Sequence, residues 1–207
     1  SDVCSSDLGL HFAGVDVKNC FYQHGLPRWL SEYFGLDYVT AGEVGLRTLD
    51  GAELSPGARL YPLLSAVPMG WTWALYLVQR VHEEILRRPP EFARVPCAVD
   101  FRPPPRPSDG TFYSLYVDNI LVEGTDAEEV SRVRRAASEM FIKAGLDAHE
   151  ETDASREMLM LGGFQEGDPP RCGLGPKRFW KLYAGLGHLV NRRRAASSRR
   201  SEEHTSE

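Results

Sequence analysis

Two aspartates each follow an apolar, β-prone run of residues. Asp16 comes after the run HFAGV, and Asp118 comes after FYSLYV. Either one alone is typical of a turn, but two carboxylates at the ends of neighbouring strands repel each other unless a cation lies between them. Oxygen ligands without an accompanying Cys/His set favour Mg²⁺ or Mn²⁺ over zinc. The pattern therefore predicts a site for such a cation, and a two-metal centre of this kind can activate a 3′-hydroxyl and stabilise a leaving pyrophosphate.

Five segments in a fixed order surround these aspartates. They are VDVKNCFYQ (residues 15–23), AVPMGW (66–71, followed by a helical pattern containing Gln79), LYVDNILV (115–122), AGL (144–146) and LGGF (161–164). Together they resemble the palm motifs of reverse transcriptases, the third of them the Tyr-x-Asp-Asp hairpin and the last the primer grip. The resemblance spans residues 9–167, and insertions are expected before Val67 and before Tyr116.

The resemblance implies a role for each matching position. Asp16 and Asp118 would hold two Mg²⁺ (or Mn²⁺) ions, the Val17 carbonyl would be a further ligand, and Asn119 would complete the catalytic set. The residues expected to line the nucleotide site are Val17, Asn19, Cys20, Phe21, Met69 and Gly70. Phe21 would be the steric gate that crowds a ribose 2′-hydroxyl, and the backbone N–H groups of Asn19 and Cys20 would face the triphosphate.

The same resemblance implies contacts with a template and primer of RNA or DNA. The expected primer grip consists of Leu161, Gly162, Gly163 and Phe164. Lys177, Arg178 and Lys181 would contact phosphates of the nucleic acid backbone. The implied substrates are deoxynucleoside triphosphates, and no membrane partner is expected. A retroelement polymerase would be intracellular, in the cytoplasm or the nucleus; the oligomeric state is left open.

Three departures from the family pattern keep alternatives open. Asn119 stands where the family usually has a second Asp, Met69 replaces a common polar residue, and no lysine general acid is evident in residues 145–151, where His149 is the candidate substitute. One alternative is a degenerate palm that binds nucleic acid without polymerising. Another is an RNA-dependent RNA polymerase, against which Phe21 argues because a ribonucleotide needs room at its 2′-hydroxyl.

Both ends of the chain appear foreign to the rest. The last eight residues, RSEEHTSE, can be back-translated into a DNA sequence of 24 bases. The reverse complement of that DNA, read with a shift of one base, encodes the first eight residues, SDVCSSDL. Both octamers resemble a translated sequencing adapter, so residues 1–8 and 200–207 are predicted to be non-structural. The expected organisation is then a palm with partial fingers over residues 9–167, and a connection with the start of a basic thumb helix over 168–199. Without the fingers that would precede Gly9, the chain is expected to be inactive alone.

Charge and composition refine these expectations. The 207 residues carry a net charge of −5, of which the octamers account for −4. Residues 176–199 carry +7 and residues 9–175 carry −8, so overall acidity does not exclude a nucleic-acid partner. Outside the octamers, Cys20, Cys97 and Cys172 lack metal-ligand spacing and are predicted to be free thiols. No run approaches the roughly 18 apolar residues of a membrane span.

Hydrophobic periodicity predicts the elements that position these residues. Strands are expected near residues 9–17 and 158–165, with a hairpin over 112–123. Helices are expected over residues 28–34, 71–88 and 177–193. A further helix is expected from Thr125, which would form a capping box with Glu128, to Ala144, with Gly145 directly after its end. Residues 39–62 favour short strands, 91–110 an exposed loop, and 149–151 a solvated turn. The order predicts an α+β fold: an antiparallel sheet with helices on one face.

Overall fold

The computed structural model describes residues 9–89, 92–106 and 110–191. The helices are α1 (Cys20–Gln23), α2 (Arg28–Ser31), α3 (Ala74–Arg87), α4 (Ala127–Lys143) and α5 (Pro176–Asn191). The strands are β1 (His11–Val17), β2 (Val39–Thr40), β3 (Thr48–Leu49), β4 (Ala52–Glu53), β5 (Arg59–Leu60), β6 (Cys97–Ala98), β7 (Phe112–Tyr116), β8 (Asn119–Gly124), β9 (Ala148–Ser155), β10 (Glu157–Met160), β11 (Gly163–Gly167) and β12 (Pro170–Leu174). The octamers and the arginines at 192–194 lie outside the described residues.

A five-stranded sheet in the order β6-β7-β8-β1-β9 forms the centre of the fold. Its pairs are antiparallel except for β6 and β7, which are parallel. Helices α3 and α4 contact each other and both contact this sheet, so they cover the same face. The predicted α+β class, with helices packed on one face of a largely antiparallel sheet, is confirmed.

The main core lies between that face and the two helices. Val15, Ile120 and Val122 from the sheet are buried together with Leu86 of α3 and Phe141 of α4. Each such side chain, fully buried, contributes about 1.5–3 kcal/mol relative to an exposed one. The opposite face of the sheet carries a smaller cluster of Phe12, Leu121 and Met158, beneath the β10–β11 hairpin. The central strands are therefore covered on both faces near the predicted site.

Helix α4 begins one residue later than its predicted cap. The side chain of Asp126, not that of Thr125, accepts hydrogen bonds from the backbone N–H groups of Glu128 and Glu129. The predicted capping box is wrong in its residue, because aspartate accepts two N–H groups and also places a negative charge at the helix N-terminus. Gly145 follows the helix at φ 84°, the left-handed conformation expected after a helix end.

The predicted solvated turn at residues 149–151 is wrong: these residues lie in β9, an edge strand paired with β1. The run AHEETDAS has little intrinsic preference for a strand. Arg134 of α4, which is buried, forms salt bridges to both Glu151 and Asp153 of this strand. A tertiary contact therefore overrides the local sequence.

Two further expectations need correction. The single strand expected over residues 158–165 is a hairpin, β10–β11, whose turn places Leu161 at φ 51° and Gly162 at φ 74°; β12 then extends it to a three-stranded sheet. The expected loop over residues 91–110 contains a 3₁₀ turn (Phe92–Arg94) and the strand β6. Among the described residues no helix has the length and apolar character needed to cross a bilayer.

Candidate active site

The central sheet brings the two predicted aspartates side by side. Asp16 is next to last in β1, Asn119 opens β8, and the two are directly paired in the antiparallel register. Asp118 lies in the turn between β7 and β8, and its carbonyl accepts a 2.9 Å hydrogen bond from the N–H of Val17. The chain positions 16 and 118 thus meet at one end of the sheet, as the motif spacing predicts.

The turn that carries Asp118 has an unusual backbone. Val117 is buried at φ 53°, a left-handed conformation that a β-branched residue rarely adopts. Its N–H donates to Oε1 of Gln79 at 2.7 Å, and its carbonyl lies 2.5 Å from Nδ1 of His82. Nε2 of Gln79 also donates to the carbonyl of Leu115 at 3.2 Å. Two side chains of α3 therefore hold the turn in this conformation and fix the backbone position from which Asp118 extends.

Replacing Gln79 by Leu is expected to lower the free energy of unfolding by about 1–3 kcal/mol, because a largely buried N–H group at Val117 loses its partner. Chemical denaturation of the purified chain would measure the loss. Glu84→Gln, at an exposed position of the same helix, is the matched control and should change stability by less than about 0.5 kcal/mol. Equal stability of the two variants would contradict the assigned role of Gln79.

The candidate acid His149 lies beside Asp16. It pairs with Asp16 across β9 and β1, and its Nδ1 lies 3.3 Å from Oδ1 of that carboxylate. The two side chains are 37% and 23% exposed, so this edge of the site is open to solvent. The structure thus brings His149 to the Asp16 carboxylate, although the sequence predicted a turn there.

The donor groups present fit hard divalent cations. Two carboxylates and the amide of Asn119 offer oxygen ligands from adjacent strands, and Nδ2 of Asn119 donates to Oδ1 of Asp118 at 2.8 Å. The pKa of the Cys20 thiol is raised to about 12, first by burial and then by the negative charges of Asp118 and Asp16. Both carboxylates therefore lie within electrostatic range of the Cys20 thiol.

The predicted nucleotide-site residues lie on two segments near this end of the sheet. Asn19, at φ 46°, precedes α1, and Phe21 in α1 is half-buried against the main core. Met69 is 65% exposed, and Gly70 has φ 88° with open space around it, so this turn requires glycine for its backbone. Trp71, just after it, packs edge-on against Phe34 and anchors the second segment to the fold.

One residue of the predicted phosphate-binding set contacts the predicted primer grip. Nη1 of Arg178, in α5, donates to the carbonyl of Leu161 at 2.7 Å, and a side chain at Gly162 would collide with its guanidinium. Gly175 N–H also donates to the Gly162 carbonyl. Lys177 and Lys181 are exposed on the same helix. One of the three expected phosphate contacts thus also joins α5 to the hairpin.

That hairpin also reaches the strand of the first aspartate. A side chain at Gly14 of β1 would come within 2.5 Å of the Met160 methyl and 3.2 Å of the Met158 methyl. Glycine two residues before Asp16 therefore permits close packing of β10 on β1. The predicted primer-grip hairpin is in this way anchored next to the candidate catalytic strand.

Sequence reasoning missed three contacts of the site. It noted Gln79 only as part of a motif, gave His82 no role, and did not pair Arg178 with Leu161. A signal for His82 existed, because it lies three residues after Gln79 and therefore near the same face of a predicted helix. No local pattern indicates the Arg178 contact, which depends on how α5 returns to the hairpin.

Comparison with known proteins supports the fold alone. No protein-family model matches the chain, and no curated protein matches it in sequence. Among solved structures, the fold is similar to that of a foamy viral protease-reverse transcriptase in complex with dsDNA, at a TM-score of 0.54 and 14% sequence identity. The match covers 84% of this chain and 28% of that one, so the chain spans little more than a quarter of its structural relative. The chain has a fold like part of a reverse transcriptase.

Proposed function

We propose that the chain is the palm of an RNA-directed DNA polymerase that adds deoxynucleotides to a primer 3′-end. The observation that carries this proposal is the direct pairing of Asp16 with the hairpin of Asp118 at one end of the sheet. Similarity in fold to a reverse transcriptase supports it. Two carboxylates held together at one end of a sheet, where they could bind metal ions, suit nucleotidyl transfer, since its catalysis is mostly positioning and electrostatics.

In this proposal each part of the site has a physical task. Asp16, Asp118 and the Val17 carbonyl would hold two Mg²⁺ or Mn²⁺ ions. When bound, such ions activate the 3′-hydroxyl and stabilise the charge of the leaving pyrophosphate. Asn119 would offer its amide oxygen as a weaker, uncharged ligand. His149, 3.3 Å from Asp16, is placed to exchange a proton at the edge of the site.

The remaining residues would bind and orient the substrates. Phe21 would exclude a 2′-hydroxyl, the backbone of Asn19 and Cys20 would face the triphosphate, and Met69 and Gly70 would line the nucleotide. The hairpin of residues 161–164 would steady the primer. Lys177 and Lys181, exposed on α5, would attract the nucleic acid backbone, and Arg178 would do so while bound to Leu161.

Primer extension tests the proposal. The chain, completed with the sequence that flanks it in its parental gene, should extend a DNA primer annealed to an RNA template when Mg²⁺ and the four deoxynucleotides are supplied. Omitting the template should abolish incorporation. Untemplated incorporation, or none with any divalent cation, would overturn the proposal.

Asn119 favours a second candidate, a degenerate palm that binds primer and template without extending the primer. Its amide donates to Oδ1 of Asp118 and so engages one oxygen that a cation would use. An active polymerase and a degenerate palm are expected to differ in primer extension with Mn²⁺, an ion that oxygen ligands bind readily. Extension with Mn²⁺ by the completed protein would support the polymerase, and salt-dependent binding of primer and template without extension under either metal would support the degenerate palm.

Replacing Phe21 by Val in the completed protein is expected to admit ribonucleotides, because a smaller side chain leaves room for the 2′-hydroxyl. The preference for deoxynucleotides should fall by at least about 10–200-fold, the range that a change of one methylene group in a pocket gives. Competition between dGTP and GTP would measure it. Tyr22→Val is the matched control, since Tyr22 is 62% exposed; an equal effect there would contradict the gate assigned to Phe21.

A further inference from the structure

Three potential metal ligands converge next to the hairpin of Asp118. They are Sγ of Cys20, a ring nitrogen of His24 and Nε2 of His82, all within 4.8 Å of one another. The two Nε2 atoms are 3.0 Å apart, and Sγ of Cys20 lies 3.9 Å from Nε2 of His82. Cys20 and His82 are buried and His24 is half-buried. The cluster is thus protected, with one side toward solvent.

The fold fixes these side chains before any metal binds. Cys20 is the first residue of α1 and His24 is its C-terminal cap, a separation of four residues that brings both to one side of a single turn. His82 comes from α3, 58 residues beyond His24. Its Nδ1 is engaged by the Val117 carbonyl, which leaves Nε2 facing the other two groups. A backbone carbonyl on the second ring nitrogen is the usual support of a metal-binding histidine.

We propose that Cys20, His24 and His82 bind a divalent transition-metal ion, with Zn²⁺ the preferred ion. One thiolate and two imidazoles are the ligands of zinc, in contrast to the oxygen ligands of the Asp16 and Asp118 site. Tetrahedral zinc, about 2.3 Å from sulfur and 2.0 Å from nitrogen, separates such ligand atoms by roughly 3.3–3.6 Å. The nitrogen–nitrogen separation of 3.0 Å and the sulfur–nitrogen separation of 3.9 Å lie on either side of that range, and Cys20 and His24 offer ligand atoms within 4.8 Å of each other.

The protonation of the two imidazoles suits this ion, whereas the Cys20 thiol, whose pKa is raised to about 12, loses its proton only when the metal binds. Burial lowers the pKa of His82 to about 4 and also lowers the pKa of His24, so both imidazoles are neutral near pH 7, the form that binds metals. Without a metal, one imidazole donates an N–H to the other across the 3.0 Å contact. The donor is His24, because Nδ1 of His82 donates to the Val117 carbonyl. Binding replaces that hydrogen bond, moves the His24 ring proton to the other ring nitrogen, and releases the Cys20 thiol proton to solvent as the metal–sulfur bond forms. Three protein ligands leave a fourth position for water on the His24 side.

Cobalt and zinc titration of the purified full chain tests the proposal. The chain is stripped with a chelator and titrated with Co²⁺ in excess Mg²⁺, which occupies oxygen-ligand sites. We expect about one equivalent to bind with a thiolate-to-cobalt charge-transfer band and tetrahedral visible bands, and Zn²⁺ to displace it. A Cys4→Ser, Cys97→Ser, Cys172→Ser variant keeps Cys20 as its single thiol and should retain the band.

Ligand variants identify the site. His24→Ala is the main test because its half-buried position allows the fold to survive, which circular dichroism would verify; we expect affinity to fall at least about a hundredfold. Cys20→Ser should abolish the charge-transfer band. His188→Ala, on the exposed face of α5, is the control and should bind as the parent does. Absence of the band, or a band unchanged in Cys20→Ser and His24→Ala, would overturn the proposal and leave the cluster as a buried histidine–histidine hydrogen bond.

Discussion

Primer extension by the completed protein is expected to fall by at least about 10²–10³ when Asp118 is replaced by Asn, because one charged ligand of the proposed cations is lost. The shape of the side chain is kept, so the fold should be unaffected. Steady-state and single-turnover extension rates in Mg²⁺ would measure the change, and thermal unfolding would confirm equal stability. Asp16→Asn should give a similar loss from the neighbouring strand.

The matched control for this pair is Asp100→Asn, an exposed aspartate outside the site that loses the same charge. Its extension rate should equal that of the parent. If Asp118→Asn retained the parental rate in Mg²⁺, the turn would carry no catalytic ligand and the polymerase proposal would be wrong. Loss of activity in Asp100→Asn as well would point to net charge and not to metal binding.

Replacing Phe141 by Ala is expected to lower the free energy of unfolding by about 3–5 kcal/mol. Phe141 is fully buried in α4, and its ring lies 4.9 Å from the ring of His82. Truncation removes apolar contacts and leaves a cavity between α4 and α3. Since domains of this size are stable by only about 5–15 kcal/mol, the variant should unfold at markedly lower denaturant concentrations.

Ile142→Ala provides the control for this prediction. Ile142 is the next residue of the same helix and is 57% exposed, so its truncation should cost less than about 1 kcal/mol. Denaturation of both variants, followed by far-ultraviolet circular dichroism, would compare the two costs directly. Similar losses in both would contradict the packing of α4 described above.

The sequence predicted those elements whose periodicity and boundaries are local. The run FYSLYV, an acidic turn and a second apolar run specify the β7–β8 hairpin, and the pattern before Pro89 specifies α3. Strand β9 was missed because its acids are stabilised by Arg134, a residue of another element. Asp126, and not the neighbouring Thr125, caps the helix because its carboxylate accepts two backbone N–H groups and places a negative charge at the helix N-terminus.

The part of the candidate site that lies within the sequence motifs could be predicted from the sequence. The pairing of the aspartates' strands agrees with the motif order, whereas their assigned roles remain predictions. The absence of metal-ligand spacing led to Cys20 being predicted as a free thiol, and no disulfide involves it. Its position beside His24 and His82 follows from the fold, in which His82 of α3 contacts Cys20 at the start of α1 and His24 at its end. A three-residue cluster assembled across 62 positions of sequence leaves no local pattern.

Helix α3 holds the Asp118 turn through Gln79 and His82, side chains about one helical turn apart, and this makes the helix and the turn a coupled pair. A ligand that binds more tightly to one position of α3 therefore also shifts the Asp118 carboxylate toward the position that goes with it. The size of the shift is limited by the difference in the ligand's affinity for the two positions of α3. Coupling of this kind is reciprocal. An ion bound by His82 would change the affinity of the Asp118 site for its ion, and an ion at Asp118 would change the affinity of the His82 site by the same factor. The coupling would pass through the single peptide unit between Val117 and Asp118.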